Sequence, residues 1–269
     1  MGYTRIDVEP VTNVLGAIVR GPDLSRPLDH ETVSELTAAW NEHKVLFLPE
    51  QSIDRDGHKR FAAYFGQVFR HPYLKDVEED EDIVRLYSGG TDRRYVASGW
   101  HTDVTFAPQP PMGSILRAIE VPECGGDTMW LDLEAAYAGL SPTMQTFASS
   151  LRAIHSAPRA AFVRGDTSGE VITSTHPVVR THPATGRKAL FVNPVFTRSI
   201  EGLRAAESNA LLTFFHTHCQ QPDFQVRHRW RAGTVAMWDN RCTQHRVAAD
   251  NLDGVRKMER ITLQGDTPA

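Results

Sequence analysis

Short apolar runs separated by turn residues dominate the chain from Ile83 onward. IVRLYS, GSILRAIEV, LRAIHS, PVVRTHP, KALFVN, FQVRHRW, TVAMWD and RITLQG are each the length of one strand, and this succession predicts a many-stranded barrel or sandwich. Ala184, Thr185 and Gly186 fall between two such runs as a hairpin turn. The opening of the chain is patterned differently. Residues 11–20, VTNVLGAIVR, read as a strand and turn. Residues 29–43 place Val33, Leu36 and Trp40 on one stripe, which predicts a helix, with Asp29 positioned to cap it. The unbroken apolar run VLFLP (45–49) predicts a short buried strand, and helical spacing returns around Phe61, Tyr64 and Phe65. Ser141 and Pro142 open a further helix, and residues 204–218 carry Leu211, Leu212, Phe214 and Phe215 at helical spacing. Residues 156–175 are polar, glycine-containing and weakly periodic, so they predict a surface loop able to act as a lid. The pattern describes a single domain over 1–269, mainly β with flanking helices.

Composition narrows the classes of partner. The formal net charge is -4 with a pI near 6.3, and Lys and Arg are scattered, which points away from nucleic acid and charged membrane surfaces. The start, MGYTRIDVEP, has no apolar core or small-residue cleavage site, and no run of some 18 apolar residues occurs, so a cytoplasmic protein is expected. Cys124, Cys219 and Cys242 are odd in number and lack CxxC spacing, which argues against a disulfide framework or a thiolate zinc site.

The candidate chemistry lies in two distant segments. In SGWHTDVTF, His101 and Asp103 are two apart, so on an extended strand both side chains would share a face and meet one metal ion. Alone this is weak, because twelve histidines among 33 acids in 269 residues give about 1.5 such pairs by chance. The segment WDNRCTQHRVAADNLDGVRKMERITLQGD then adds His245, Arg256 and Arg260. Two histidines and one carboxylate are the facial triad that suits non-haem iron(II) and leaves adjacent positions open. Zinc competes, but structural zinc wants four closed ligands and usually thiolates, and magnesium or calcium prefers oxygen throughout.

The blocks HKVLFLPEQ, FGQVFRHP, WHTDVTF, PPMGSILRA, GGDTMW, HPVVRTHPATGRKALFVN and WDNRCTQHRV, closing with RKMERITLQGD, resemble in this order the taurine dioxygenase (TauD/TfdA) family of Fe(II)/2-oxoglutarate-dependent dioxygenases. The resemblance covers nearly the whole chain. It implies a double-stranded β-helix, the cupin-like jelly roll, with iron at the barrel mouth. It places His101, Asp103 and His245 on the iron ligands, and Thr128 and Arg256 on the residues holding the distal carboxylate of 2-oxoglutarate. Arg260 falls on the arginine that meets the substrate's acidic group, and His71 and Phe196 on substrate-pocket positions. The implied reaction consumes 2-oxoglutarate and O2, releases succinate and carbon dioxide, and hydroxylates a carbon of a small organic anion. Chlorinating relatives lack the carboxylate ligand, and Asp103 is present, so hydroxylation is implied. Family members are commonly dimers or tetramers, which implies a homo-oligomer.

A taurine-like sulfonate, with possible sulfite release, is the first substrate the resemblance suggests, and three departures bear on it. Taurine-using members carry asparagine where this chain has Ala97, and tyrosine where it has Leu74, with Tyr73 one position earlier. The lid segment is also shorter. Alkyl sulfates and carboxylates are the alternatives within the family. A jelly-roll binding protein without catalysis and a zinc hydrolase are the alternatives outside it.

Overall fold

The computed structural model describes residues 2–71, 80–88, 99–157, 171–248, 250 and 254–269. The chain opens with β1 (Asp7–Pro10) and β2 (Ala17–Arg20), then α1 (His30–His43), β3 (Val45–Leu48) and α2 (Arg55–Ala63). Asp29 caps α1 by accepting the Thr32 N–H at 2.7 Å, and Asp54 caps α2 through Gly57 in the same way. Lys44 ends α1 in the left-handed region at φ 64°, which turns the chain directly into β3. After β4 (Val84–Ser88) and β5 (Gly113–Glu120) come β6 (Thr128–Asp132), α3 (Leu133–Ala138), α4 (Pro142–Ser149) and β7 (Arg152–Ser156). The remainder comprises β8 (Thr173–Pro177), β9 (Val179–Thr181), β10 (Lys188–Leu190), β11 (Thr197–Ile200), α5 (Ala205–Cys219), β12 (Gln225–His228), β13 (Val235–Asp239), β14 (Thr243–Val247) and β15 (Arg256–Leu263).

One wall of the barrel is a seven-stranded sheet in the order β1-β2-β3-β13-β5-β15-β4. The facing wall contains β12-β6-β14, with β11-β7-β8 and the β9/β10 hairpin continuing around it. Strand periodicity sorts the side chains of the large sheet. On β13, Val235 and Met237 pack outward with Leu36, Trp40 and Phe61 of α1 and α2, whereas Ala236 and Trp238 point inward. The inward layer joins Val45 and Phe47 of β3, Leu116 and Ala118 of β5, Met258 of β15 and Trp130 of β6. A third apolar cluster, including Leu131, Leu133, Leu212 and Phe215, seats α3 and α5 on the other side of β6. The close approach of α1 to the sheet depends on Gly113, where a Cβ would stand 2.5 Å from the Trp40 ring. These paired sheets make the chain a mainly β protein with a double-stranded β-helix fold.

The predicted strands and helices named above are present, with small shifts of boundary. Strands β1, β6, β8, β11 and β14 and helix α3 are additional. Their local sequences are short, polar or interrupted; β1 pairs with the neighbouring β2, whereas β6 and β14 depend on distant partners, with Trp130 opposite His245. The expected lid over 156–175 needs correcting at both ends. Ser156 pairs with Thr173, His155 with Ser174 and Ile154 with Thr175, so these positions are strand held by backbone hydrogen bonds. Residues 158–170 of that segment lie outside the described residues, as do Tyr73, Leu74 and Ala97. The three cysteines are free; Cys219 and Cys242 are buried, while Cys124 is exposed. Among the described residues, no helix is long and apolar enough to cross a membrane.

Two buried histidines make stability depend on pH. His58 donates from Nε2 to the Ile115 carbonyl at 3.1 Å, and burial, helped by nearby Arg117, pushes its pKa down to about 4. Burial, with His176 beside it, pushes His155 down to about 3. Below the ordinary value of 6.5 the unfolded chain takes up protons that the folded chain refuses. Their neutral forms therefore contribute stability that is complete above that value and falls by about 1.4 kcal/mol per pH unit for each group on acidification. Urea midpoints at about pH 7.5 and about pH 5 should differ accordingly, and His58→Gln should shrink the difference. An unchanged difference in that variant would mean that His58 is not held neutral.

Candidate active site

The site forms where the chain before β5 meets β14. His101 and His245 pair as an isolated antiparallel bridge, with N–H···O distances of 3.1 and 2.8 Å, and their rings lie 4.2 Å apart. The Thr102 hydroxyl adds a bond to the Thr243 carbonyl at 2.7 Å. Asp103 is not on a strand, as its spacing from His101 had suggested, but in a turn. Val104 follows it at φ 50°, a left-handed conformation that a β-branched residue rarely adopts. This reversal brings the carboxylate back to the histidines. Asp103 Oδ1 lies 3.9 Å from Nε2 of both His101 and His245.

All three side chains are buried. His101 Nδ1 lies 2.8 Å from the Gly99 carbonyl, so Nδ1 carries the proton and Nε2 presents its lone pair to the centre. Burial lowers the pKa of both histidines, well below the usual range for His245, which keeps the rings neutral and able to ligate. Burial alone would raise the Asp103 carboxyl, but the Arg260 guanidinium, with a hydrogen bond from Ser114, outweighs it and holds the group ionised, below the ordinary carboxylate range. Two neutral imidazoles and one carboxylate form a buried donor set of N and O atoms suited to iron(II).

A second cluster, His182, Asp239 and Cys242, has metal-like spacing but different chemistry. His182 Nδ1 accepts from the Ala184 and Thr185 N–H groups, so Nε2 carries a proton, which it donates to Asp239 at 2.9 Å. Arg241 occupies both oxygens of Asp239 at 2.8 and 2.6 Å, and burial pushes the Cys242 thiol up. Both ring nitrogens of His182 and both oxygens of Asp239 are therefore engaged, and Cys242 is kept as the neutral thiol.

Arg256, Met258 and Arg260 point to the same side of β15, into the barrel. Arg256 is buried against the Trp230 ring, 6.0 Å from its centroid. Its Nη2 contacts the Thr128 hydroxyl oxygen at 3.4 Å, and that oxygen also accepts from Trp230 Nε1 at 2.9 Å. Having accepted twice, the Thr128 hydroxyl keeps its own proton to donate. No carboxylate pairs with Arg256 among the described residues, its Nε has no partner there, and burial pushes its pKa down to about 10. A buried cation without an anion, next to a free hydroxyl donor, fits the distal carboxylate of a keto acid.

Arg260 Nη1 lies 2.9 Å from Asp103 Oδ1. The His71 ring stands 6.3 Å from Phe106, and its pKa is pushed down to about 4 by burial, with Arg260 as the next cause. Phe196 packs edge-on to both His101 at 6.2 Å and Phe106 at 5.2 Å. Around these rings Val104, Ala107 and Ala157 form an apolar cluster, against which Phe69, Val171, Ile172 and Val195 pack. His101, Asp103, His245, Arg260, His71 and Phe196 therefore lie around one site, and Arg256, on the same face of β15 as Arg260, meets Thr128. Ser114, Asn240 and Trp230 were not singled out. Asn240 lies in the quoted WDNR block, but nothing in its spacing indicates that its amide faces Asp103.

Comparison with known proteins agrees with this geometry. The family described as "Taurine catabolism dioxygenase TauD, TfdA family" matches residues 7–262. The chain is 37% identical to an alpha-ketoglutarate-dependent sulfate ester dioxygenase of Pseudomonas putida, covering 98% of this chain and 91% of that protein. It is 36% identical to an alkylsulfatase of Acinetobacter baylyi, covering 97% and 86%. The crystal structure of a taurine dioxygenase from Burkholderia xenovorans superposes with a TM-score of 0.88 at 38% identity, covering 99% and 93%. The chain belongs to the TauD/TfdA family and is an enzyme of the Fe(II)- and 2-oxoglutarate-dependent dioxygenases.

Proposed function

We propose that this enzyme hydroxylates the carbon bearing the sulfate or sulfonate group of a small anion with an apolar body, an alkyl sulfate ahead of taurine. The observation that carries this reading is Arg260, held 2.9 Å from Asp103, at a site that the apolar cluster of Phe106, Phe196, Val104 and their neighbours borders through the contact of Phe196 with His101. One cation meets one anionic head, and the apolar side chains meet a hydrocarbon.

In this reading His101, Asp103 and His245 hold the iron, which when bound supplies the centre for oxygen reduction. Arg256 and Thr128 receive the distal carboxylate of 2-oxoglutarate and fix its orientation; the guanidinium fork suits a carboxylate better than an ammonium would. Arg260 orients the substrate anion, and His71 and Phe196 shape the space beside it. The neutral His71 can donate one hydrogen bond without adding charge. One O2 and one 2-oxoglutarate are consumed, and succinate and carbon dioxide leave. The hydroxylated alkyl sulfate collapses to an aldehyde and hydrogen sulfate; a sulfonate would give the aldehyde and sulfite.

Succinate formation should be measured under air with iron(II) and ascorbate against alkyl sulfates, alkyl sulfonates, taurine and aryloxy carboxylates, with sulfate and sulfite assayed separately. Stimulation by alkyl sulfates, with sulfate released in step with succinate, is expected. Preference for taurine with sulfite release would reverse the ranking. Preference for a carboxylate would move the enzyme to the other branch of substrates that Arg260 can accept.

A further inference from the structure

The two oxygens of the Asp103 carboxylate have different surroundings. Oδ1 faces Nε2 of both histidines and Arg260 Nη1. Oδ2 is turned away and accepts from Ser114 Oγ at 2.8 Å and from Asn240 Nδ2 at 3.3 Å. The orientation of the Asn240 amide is set by a third residue. Trp238 Nε1 donates to Asn240 Oδ1 at 3.0 Å, so Nδ2 must point toward Asp103 and Ser114. Backbone pairing holds the group together. Ser114 and Trp238 are directly opposite on β5 and β13, and the Asn240 N–H donates to the Met112 carbonyl at 2.9 Å. Ser114 and Asn240 are fully buried and Trp238 is nearly so, so water does not compete for these bonds.

We infer that Ser114, Asn240 and Trp238 are positioning residues that present one oxygen of Asp103 to the metal and withhold the other. The inference rests on the reading of His101, Asp103 and His245 as the iron site. Its purpose follows from counting positions. Three protein atoms and a two-point keto acid leave one of six positions for oxygen. A carboxylate that turned to chelate through both oxygens would fill that last position. Donors on Oδ2 oppose this turn, because chelation would break two buried hydrogen bonds and leave the Ser114 hydroxyl and the Asn240 amide unpaired.

The test uses Ser114→Ala and Asn240→Ala, with Ser114→Thr as the variant that retains the hydroxyl donor. Iron(II) affinity is measured without oxygen. The iron coordination number is then read by X-ray absorption of the anaerobic complex with 2-oxoglutarate and substrate, and the oxygen dependence of succinate formation is followed in parallel. In the alanine variants, either the open position fills and the oxygen requirement rises, or iron affinity falls by about tenfold, the usual scale for groups that orient a ligand. Ser114→Thr should restore the wild-type values. Unchanged coordination, affinity and oxygen dependence in both alanine variants would overturn the inference. Should those variants not fold, Trp238→Phe removes the indole N–H that orients Asn240 and answers the same question. Failure of the underlying iron reading would look different, since Asp103→Ala would then leave iron affinity unaltered.

Discussion

Asp103→Ala is expected to abolish substrate-dependent succinate formation and to weaken iron(II) binding by more than about 100-fold, since even residues that only orient a ligand are worth about 10- to 100-fold. Asp103 is the one acid of its cluster, and Arg260 keeps it ionised, with a hydrogen bond from Ser114 in support. Removing it takes away a ligand and leaves the buried Arg260 guanidinium without its carboxylate. Breaking such a pair costs about 3 to 5 kcal/mol, so the variant should also melt at lower temperature. Asp103→Asn keeps the shape and, with its amide oxygen toward Ser114 and Asn240, should show the same two losses, because its NH2 group can neither ligate the metal nor accept from Arg260. Calorimetric titration with iron(II) without oxygen, alongside thermal unfolding, reads both quantities. A variant with full activity would remove Asp103 from the site.

Arg256→Met is expected to raise the KM for 2-oxoglutarate by about 10- to 100-fold while moving the substrate KM far less. A hydrogen bond between charged groups contributes about 1.5 to 3 kcal/mol, and each 1.4 kcal/mol is a factor of ten. The effect on stability should have the opposite sign to the usual loss of a buried polar residue. Arg256 is buried without an acidic partner among the described residues, and its depressed pKa reflects the cost of keeping that charge out of water. Replacing it with an apolar side chain of similar length should leave the Tm of the protein without 2-oxoglutarate unchanged or higher. Stabilisation by added 2-oxoglutarate should shrink in the same variant. Equal changes in both KM values would assign Arg256 to something other than the keto acid.

Much of the site could be read locally. On β15 the spacing of Arg256 and Arg260 places both on one face, because strand side chains alternate with period two. The run VLFLP likewise specified a strand buried on both sides, with Leu46 and Leu48 against the helices and Val45 and Phe47 in the barrel. The same reasoning failed for His101 and Asp103. Their proximity comes from a turn with Val104 in a left-handed conformation, and intrinsic preference argues against that conformation at a β-branched residue. Helix α3 was missed for a similar reason. It is six residues long, and Asp132, which caps it, also receives Lys44 from the end of α1.

The sequence by itself determined the strand-rich architecture, the face each periodic residue occupies, and the residue types that could ligate a metal or bind a carboxylate, because these depend on local spacing and side-chain chemistry. Only the tertiary structure decided that Arg256 lacks an acid among the described residues, that Asp239 is saturated by Arg241 and His182, and that the two oxygens of Asp103 face different partners. Those properties depend on register between strands far apart in the chain and on burial that excludes water, and neither is encoded in the spacing of neighbouring residues.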